Sequence, residues 1–255
     1  MNILLTNDDG IHAKGLWALY KKFAPQHSVT VVAPDRERSA EGHGISLHQP
    51  LRKTKIEVNN GFQGYAISGT PADCIKMGLM EILDKRPDLV ISGINLGANV
   101  GINVNYSGTV AAAREAALYK VPAIAVSIEG DSLANYDEAA LFTVGLAENV
   151  FQKGLPLGTI LNVNIPDIPI KEVAGIRISR QATELYAEYL DKRVDPRNRA
   201  YYWHGHVPQS SFNHPDVDVV ALSENYISIT PMKCDMTDYS MLEELKGWKF
   251  EGVKI

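Results

Sequence analysis

Up to Pro166, short apolar runs alternate with stretches of helical period, and most runs end in small polar residues and glycine. Residues 3–5, Ile-Leu-Leu, predict a buried strand, which Thr6-Asn7-Asp8-Asp9-Gly10 breaks with turn-formers. Residues 16–23 carry apolar side chains three and four apart, which predicts a helix. Residues 28–34 form a second β-branched run, ending in the polar loop 35–44. In 45–64 the apolar positions alternate around Asn59-Asn60-Gly61, a hairpin turn signal, so an antiparallel excursion is expected, followed by a short strand at 65–67. A helix then opens at Thr70-Pro71-Ala72-Asp73: threonine caps, proline suits the first helical position and the aspartate favours the positive helix end. Met77 and Met80 of that helix are expected in the core. Strands are predicted over 87–92, 122–128 and 159–166. Helices are predicted over 110–118, with Ser107 as N-cap, and over 139–151.

This alternation argues for an α/β fold: a Rossmann-like three-layer α/β/α core with a mostly parallel sheet, over residues 1–166. Beyond Pro166 the rhythm changes. Strands are expected at 175–181, 217–222 and 227–231 and a short helix at 240–248, around a polar, aromatic stretch at 190–213 that includes Tyr201-Tyr202-Trp203. Residues 167–255 therefore read as an antiparallel C-terminal extension with a β-hairpin. Aromatic-rich arms of this kind often pair between subunits, so a homodimer or homotetramer is expected.

Composition narrows the classes. The chain has 255 residues, 45% hydrophobic and 22% charged, ordinary for a globular domain that needs no staples. Its net charge of −5 argues against a stable nucleic-acid complex or an anionic membrane surface. Cys74 and Cys234 have no metal-binding spacing. No apolar run approaches the roughly 20 residues of a membrane span, and the first strand begins at once, so a cytoplasmic protein is expected.

The chemistry gathers where strands end. Asp8 and Asp9 stand where the first strand hands over to the first helix, the crevice in which open α/β sheets bind ligands. Adjacent carboxylates repel, and a hard divalent cation is one remedy; a solvated acidic turn is the other reading. The loop at 93–109 is long and rich in Gly and Asn, and it leads into a helix whose start, at Ser107, Gly108 and Thr109, can receive an anion. With Ser39 and Asn95 at two further strand ends, the donors are oxygens, which favours Mg²⁺, Mn²⁺ or Ca²⁺ over zinc. A divalent cation beside a helix N-terminus suits a phosphate monoester. Rival readings remain: an aspartate-nucleophile phosphatase, which wants D-x-D, a phospho-receiver module with Asp35 as acceptor, or a nucleotide-binding protein without turnover.

The ordered motifs T-N-D-D-G at 6–10, A-P-D-R-E-R-S at 33–39, G-T-P-A-D-C at 69–74, S-G-I-N-L-G-A-N-V-G at 92–101 and Y-S-G-T-V-A-A-A-R-E-A at 106–116 resemble the survival protein E (SurE) family of metal-dependent nucleotidases. The resemblance implies hydrolysis of nucleoside 5′-monophosphates, and of 3′-monophosphates and short polyphosphate in some members. It implies one divalent cation per subunit, Mg²⁺ or Mn²⁺, with Ca²⁺ able to occupy the site. The implied ligands are Asp8, Asp9, Ser39 and Asn95, with Asp8 and Asp9 also catalytic. Asn95, Ser107, Gly108 and Thr109 are the expected phosphate contacts, and Asn7, His43 and Asn99 are expected to support them. The family's dimers exchange a C-terminal segment, which fits the extension. The loop Ala40-Glu41-Gly42-His43-Gly44 departs from the serine-rich form of some relatives.

Overall fold

The computed structural model describes residues 1–58, 61–130, 135–183, 187–207 and 214–249. The first half follows the expected order: β1 (Asn2–Thr6), α1 (Lys14–Phe23), β2 (Ser28–Pro34), β3 (Lys53–Val58), β4 (Phe62–Ile67), α2 (Pro71–Met77), β5 (Leu89–Leu96) and α3 (Gly108–Leu118). Then come β6 (Ala123–Ile128), α4 (Tyr136–Lys153), β7 (Thr159–Ile165), β8 (Gly175–Ile178), β9 (Ala187–Val194), β10 (Ala200–Val207), α5 (Asp218–Ser223), β11 (Tyr226–Lys233) and α6 (Tyr239–Leu245). The main sheet has nine strands in the order β3-β4-β2-β1-β5-β6-β7-β11-β8. From β4 to β7 its strands run parallel. β3 is antiparallel to β4, and β11 is antiparallel to β7. β9 and β10 form a separate antiparallel hairpin.

Alternation along β1 explains the layers. Ile3 and Leu5 point into a core shared with Leu16, Leu19 and Phe23 of α1 and with Ala139 and Ala140 of α4. Leu4, between them, points into the opposite core with Ile75 of α2 and Val110, Ala113 and Ala117 of α3. Helices thus cover both faces, as buried parallel strands require. The small side chains of α3 let it lie close to the sheet: Ala112, Ala113 and Ala116 are fully buried. Among the described residues no helix is long and apolar enough to cross a membrane.

The connections place the chemistry. β1 leads through α1 to β2 on one side, while β5, on the other side of β1, leads through α3 to β6. The order reverses between β1 and β5, so the loops that follow these two strands diverge and leave a crevice. Thr6 at the end of β1 is level with Ser92 of β5, so Asp8 and Asn95 emerge at the same rim.

Several expectations are corrected. The run at 217–222 is a helix, α5, not a strand. Its buried positions, Asp218, Ala221 and Leu222, follow a helical period, which the β-branched Val219-Val220 pair masks. Met80 is 64% exposed, because α2 runs into a wider π-turn over Gly78–Ile82 that turns this side chain outward. Residues 65–67 are the end of β4 rather than a separate strand. In the expected hairpin turn, Asn59 and Asn60 lie outside the described residues, and Gly61 has the positive φ, +78°, that such a turn asks of glycine. The stretch at 190–213 forms β10 and part of β9, with 208–213 outside the described residues. Asp218 ties the extension to the site loops: its buried carboxylate accepts the N–H groups of Gly101 (2.8 Å) and Ala182 (3.0 Å).

Candidate active site

The turn after β1 is fixed from both sides. Gly10 has φ +94°, and a Cβ there would lie 2.9 Å from the Arg36 backbone, so only glycine lets the β1 and β2 loops meet. The Asn7 side-chain amide donates to the Gly10 carbonyl at 3.0 Å. Asn7 is thus a turn staple under Asp8 and Asp9. The Arg38 N–H donates to the Asp8 carbonyl at 2.7 Å, bringing the loop that carries Ser39 alongside.

Asp8 is buried, and the Thr109 hydroxyl donates to its Oδ1 at 2.5 Å. Burial pushes the Asp8 carboxyl above its usual range, against the hydrogen bonds of the Thr109 hydroxyl and of the Thr109 and Gly108 N–H groups. Burial, then Asp8, then Glu37 push the neighbouring Asp9 up to about 7, and the Leu96 N–H works the other way. No cationic side chain among the described residues offsets either carboxylate. Two adjacent carboxyls in a poorly solvated turn, both raised chiefly by burial, are an arrangement that a cation would relieve.

Asp8, but not Asp9, is among the residues that line the adjoining cavity. Asp8, Ser39, Asn95, Asn99 and Ser107 line one cavity of about 660 Å³. The Ser39 hydroxyl donates to Glu37 Oε1 at 2.7 Å. Asn95 follows an irregularity in the β5–β6 pairing, and its amide donates to the Gly97 carbonyl at 2.7 Å, which leaves its side-chain oxygen as an acceptor. Among the described residues no cluster of three or more His, Cys, Asp or Glu side chains is assembled.

The start of α3 differs from a simple anion cradle. Ser107 caps it, accepting the Val110 N–H at 3.1 Å. The Gly108 and Thr109 N–H groups serve Asp8, and Thr109 is fully buried with its hydroxyl on the same carboxylate. The helix N-terminus therefore stabilises Asp8 directly, and Ser107 and Asn95 are the expected phosphate contacts that reach the cavity wall. A Cβ on Gly108 would lie 2.7 Å from Asp8 Cβ and 3.0 Å from Pro71 Cγ. Gly108→Ala is accordingly expected to destabilise the protein by about 2 kcal/mol through overpacking and to displace Asp8. Denaturant unfolding alongside turnover checks this; an alanine variant with unchanged stability would mean that the contact yields freely.

His43 binds α3 and is not in the cavity wall, whereas Asn99 is in the wall and is held there by the sheet. His43 Nε2 lies 2.7 Å from Glu115 Oε2, and Lys76 Nζ lies 2.8 Å from Glu115 Oε1. Burial works to raise the Glu115 carboxyl, but the hydrogen bonds from His43 and Lys76 hold it below the usual glutamate range. His43 thus anchors the loop after Ser39 to α3. Gly44 and Ser46 of the same loop are bound by Thr70 and Asp73 at the start of α2. Asn99 is clamped to the sheet: its N–H donates to Asn164 (2.7 Å), its amide donates to Ser127 (2.8 Å), and its carbonyl accepts from Asn162 (2.8 Å).

Sequence reasoning missed Glu115 and the outer cavity wall. Tyr106 stands directly before Ser107 in the chain, which is a signal of a kind. His204 and Gly205 come from β10 and carried none.

Comparisons with known proteins show the family. The model of the family described as Survival protein SurE matches residues 3–188. A 5′-nucleotidase SurE of Desulfatibacillum aliphaticivorans is 54% identical over 251 residues, covering 98% of this chain and 99% of that protein. A second, of Heliobacterium modesticaldum, is 47% identical over 97% of this chain and 92% of its own. The crystal structure of the SurE protein from Aquifex aeolicus superposes with a TM-score of 0.85 at 36% identity, covering 96% of this chain and 98% of that one. The matched span holds the acidic turn, the Ser39 loop, Asn95 and the start of α3, and the likeness runs on through the extension: the chain belongs to the SurE family.

Proposed function

We propose that this chain is a divalent-cation-dependent 5′-nucleotidase, which hydrolyses nucleoside 5′-monophosphates to nucleoside and phosphate. The observation that carries the reading is the Asp8–Asp9 pair, poorly solvated and without a cationic partner among the described residues, beside a cavity wide enough for a nucleotide. The family membership and the names of the relatives support the same reaction.

The donor set fits a hard cation: two carboxylates and neutral oxygens, with Gly108 leaving room for Asp8 against α3. Asp8, Asp9, Ser39 and Asn95 would hold one cation per subunit, Mg²⁺ or Mn²⁺. When bound, that ion supplies charge neutralisation and Lewis-acid polarisation of phosphoryl oxygens. Ser107 and Asn95 orient the phosphate, and Thr109 and the α3 N-terminus hold Asp8 in place. Water attacks phosphorus in line, with Asp8 or Asp9 accepting its proton. The bond to the ribose oxygen breaks, and that oxygen takes a proton from solvent water. Water, not a carboxylate, is the nucleophile in this reading. Nucleoside 3′-monophosphates and short polyphosphate are further substrates.

The division into a core (1–166) and an extension (167–255) is also proposed, with the extension joining subunits into a dimer or tetramer in the cytoplasm. Met236, Tyr239 and Trp248 around α6 stand exposed, as an unpaired arm would leave them.

Phosphate release from 5′- and 3′-monophosphates and from tripolyphosphate tests the reading. Each is assayed after chelation and again with Mg²⁺, Mn²⁺, Ca²⁺ or Zn²⁺ restored. Metal-dependent release from the 5′-monophosphates is expected; no release with any ion would overturn the assignment.

A further inference from the structure

The chain bends sharply just after Ser39. Ala40 has φ +58° and Gly42 has φ +57°. Glycine adopts this left-handed backbone freely, whereas alanine does so against the clash of its own Cβ. A residue strained in this way persists only where its surroundings over-determine it. Ala40 lines the cavity together with Ser39 and Asp8. The strain therefore lies at the site itself, next in the chain to an expected cation ligand.

The loop is held on both sides of Ala40. Before it, the Arg38 N–H donates to the Asp8 carbonyl at 2.7 Å. After it, the Gly42 N–H donates to the Tyr106 carbonyl at 3.0 Å, and the Gly44 carbonyl accepts the Thr70 hydroxyl at 2.8 Å. The tie to α3 that carries charge is the one from His43 Nε2 to Glu115 Oε2, at 2.7 Å. Glu115 is buried, and its other oxygen takes Lys76 Nζ at 2.8 Å, so the carboxylate is fixed from two directions. With a carboxylate as acceptor, Nε2 is the donor of the His43 ring. α3 is also the helix whose first turn, at Gly108 and Thr109, holds the Asp8 carboxylate. One helix thus supports Asp8 at its start and anchors the Ser39 loop two turns further on.

Resting on the cation site of the proposed function, we propose that His43, seated on the buried Glu115, is a positioning residue for that site: its hydrogen bond keeps Ala40 left-handed, and so keeps Ser39 on the same cavity wall as Asp8. Without that bond Ala40 relaxes to negative φ and carries Ser39 away from the acidic turn. His43 acts through the backbone of its loop and touches neither the cation nor the substrate.

The test compares His43→Ala, His43→Gln and the double variant His43→Ala with Ala40→Gly against the unaltered protein. Mn²⁺ affinity is measured by calorimetric titration of the metal-free protein at pH 8. Hydrogen exchange at the Gly42 amide is measured with chelator present. His43→Ala is expected to weaken Mn²⁺ about tenfold, the scale of one lost hydrogen bond to a charged group, and to speed Gly42 exchange by a similar factor. His43→Gln carries an N–H donor close to the place of Nε2 and is expected to keep both values within about twofold. The double variant is expected to regain about threefold in affinity over His43→Ala, because glycine holds the left-handed backbone without a clamp. A residue that only stabilised the fold would lower the thermal midpoint in His43→Ala and leave Mn²⁺ affinity unchanged. That result would overturn the proposal, and so would a double variant that binds Mn²⁺ no better than His43→Ala. The exchange measurement separates the clamp from the reading beneath it. If the unaltered protein binds no Mn²⁺, the cation reading fails. The clamp on Ala40 then stands if Gly42 exchange rises in His43→Ala and returns in His43→Gln, and falls if it is unchanged.

Discussion

Asp8→Asn and Asp9→Asn are each expected to cut turnover by about a thousandfold, the scale seen when a charge-stabilising group is removed from a reaction centre, while their effects on stability differ. Asp8 is the acceptor for the Thr109 hydroxyl and for the N–H groups of Gly108 and Thr109. An asparagine there keeps one acceptor oxygen and turns an amide N–H toward those donors, so the relief of charge is offset by a lost hydrogen bond. Asp9 is different. Burial, Asp8 and Glu37 disfavour its charged form, and only the Leu96 N–H supports it. Asparagine at position 9 can still accept that N–H, and it removes the charge. At pH 8, where the Asp9 carboxyl near 7 is ionised in the fold, Asp9→Asn is therefore expected to stabilise the metal-free protein. The whole shift corresponds to about 4 kcal/mol, and solvent screening reduces it to about 2, a rise of roughly 4–8 °C in Tm for a chain of this size. Thermal unfolding with chelator present, alongside turnover at saturating Mn²⁺, checks both halves. Normal turnover in both variants would remove the acidic turn from the site. An Asp9→Asn protein that melts below the parent at pH 8 would refute the electrostatic account while leaving the site in place.

What the sequence disclosed and what it hid divide by range. The acidic turn was legible because its signals are local: an apolar run, then two carboxylates, then a glycine that the structure shows at positive φ. The Ser107 cap was legible for the same reason, and so was the α/β class, since each strand and helix carries its own period. The misreading of α5 was local too, where two valines outweighed the spacing of the buried positions. The hidden features all depend on which distant segments meet. Nothing near Glu115 says that it will receive His43 from one loop and Lys76 from another helix. Nothing near Thr109 says that its hydroxyl will go to a carboxylate at the far end of the sequence rather than to a ligand. His204 reaches the cavity only because the β9–β10 hairpin folds back over it. Sequence reasoning thus located the residues that hold charge, while the fold located those that hold them in place.

Cation affinity is expected to fall steeply as pH drops below about 7. In the metal-free protein the Asp9 carboxyl keeps its proton up to about that pH, and a cation that uses this oxygen must displace it. Well below 7 each unit costs about a factor of ten in apparent affinity, so Mn²⁺ is expected to bind about fiftyfold more weakly at pH 5 than at pH 7. Above pH 8 the affinity levels off. Asp8 is also raised by burial, so it can add to the dependence and does not reverse it. Folding stability carries the complementary sign. A carboxyl whose folded pKa lies above its unfolded value binds its proton more tightly in the native state. Its contribution is full below the unfolded pKa near 4, and it is lost as pH rises through 7. With chelator, this pair therefore favours stability at pH 5 over pH 8. With saturating Mn²⁺ the carboxylates gain their counter-charge, and at pH 8 the ion stabilises in proportion to the logarithm of its concentration over Kd. Calorimetric titration of Mn²⁺ at pH 5, 6, 7 and 8 in buffers of different ionisation enthalpy reads both the affinity and the protons released. A proton count near one at pH 6 that vanishes at pH 8 is the expected pattern. An affinity flat across this range, with no proton released, would mean that Asp9 is ionised before the cation arrives, and that the loops around it supply a counter-charge which the fold as described does not contain.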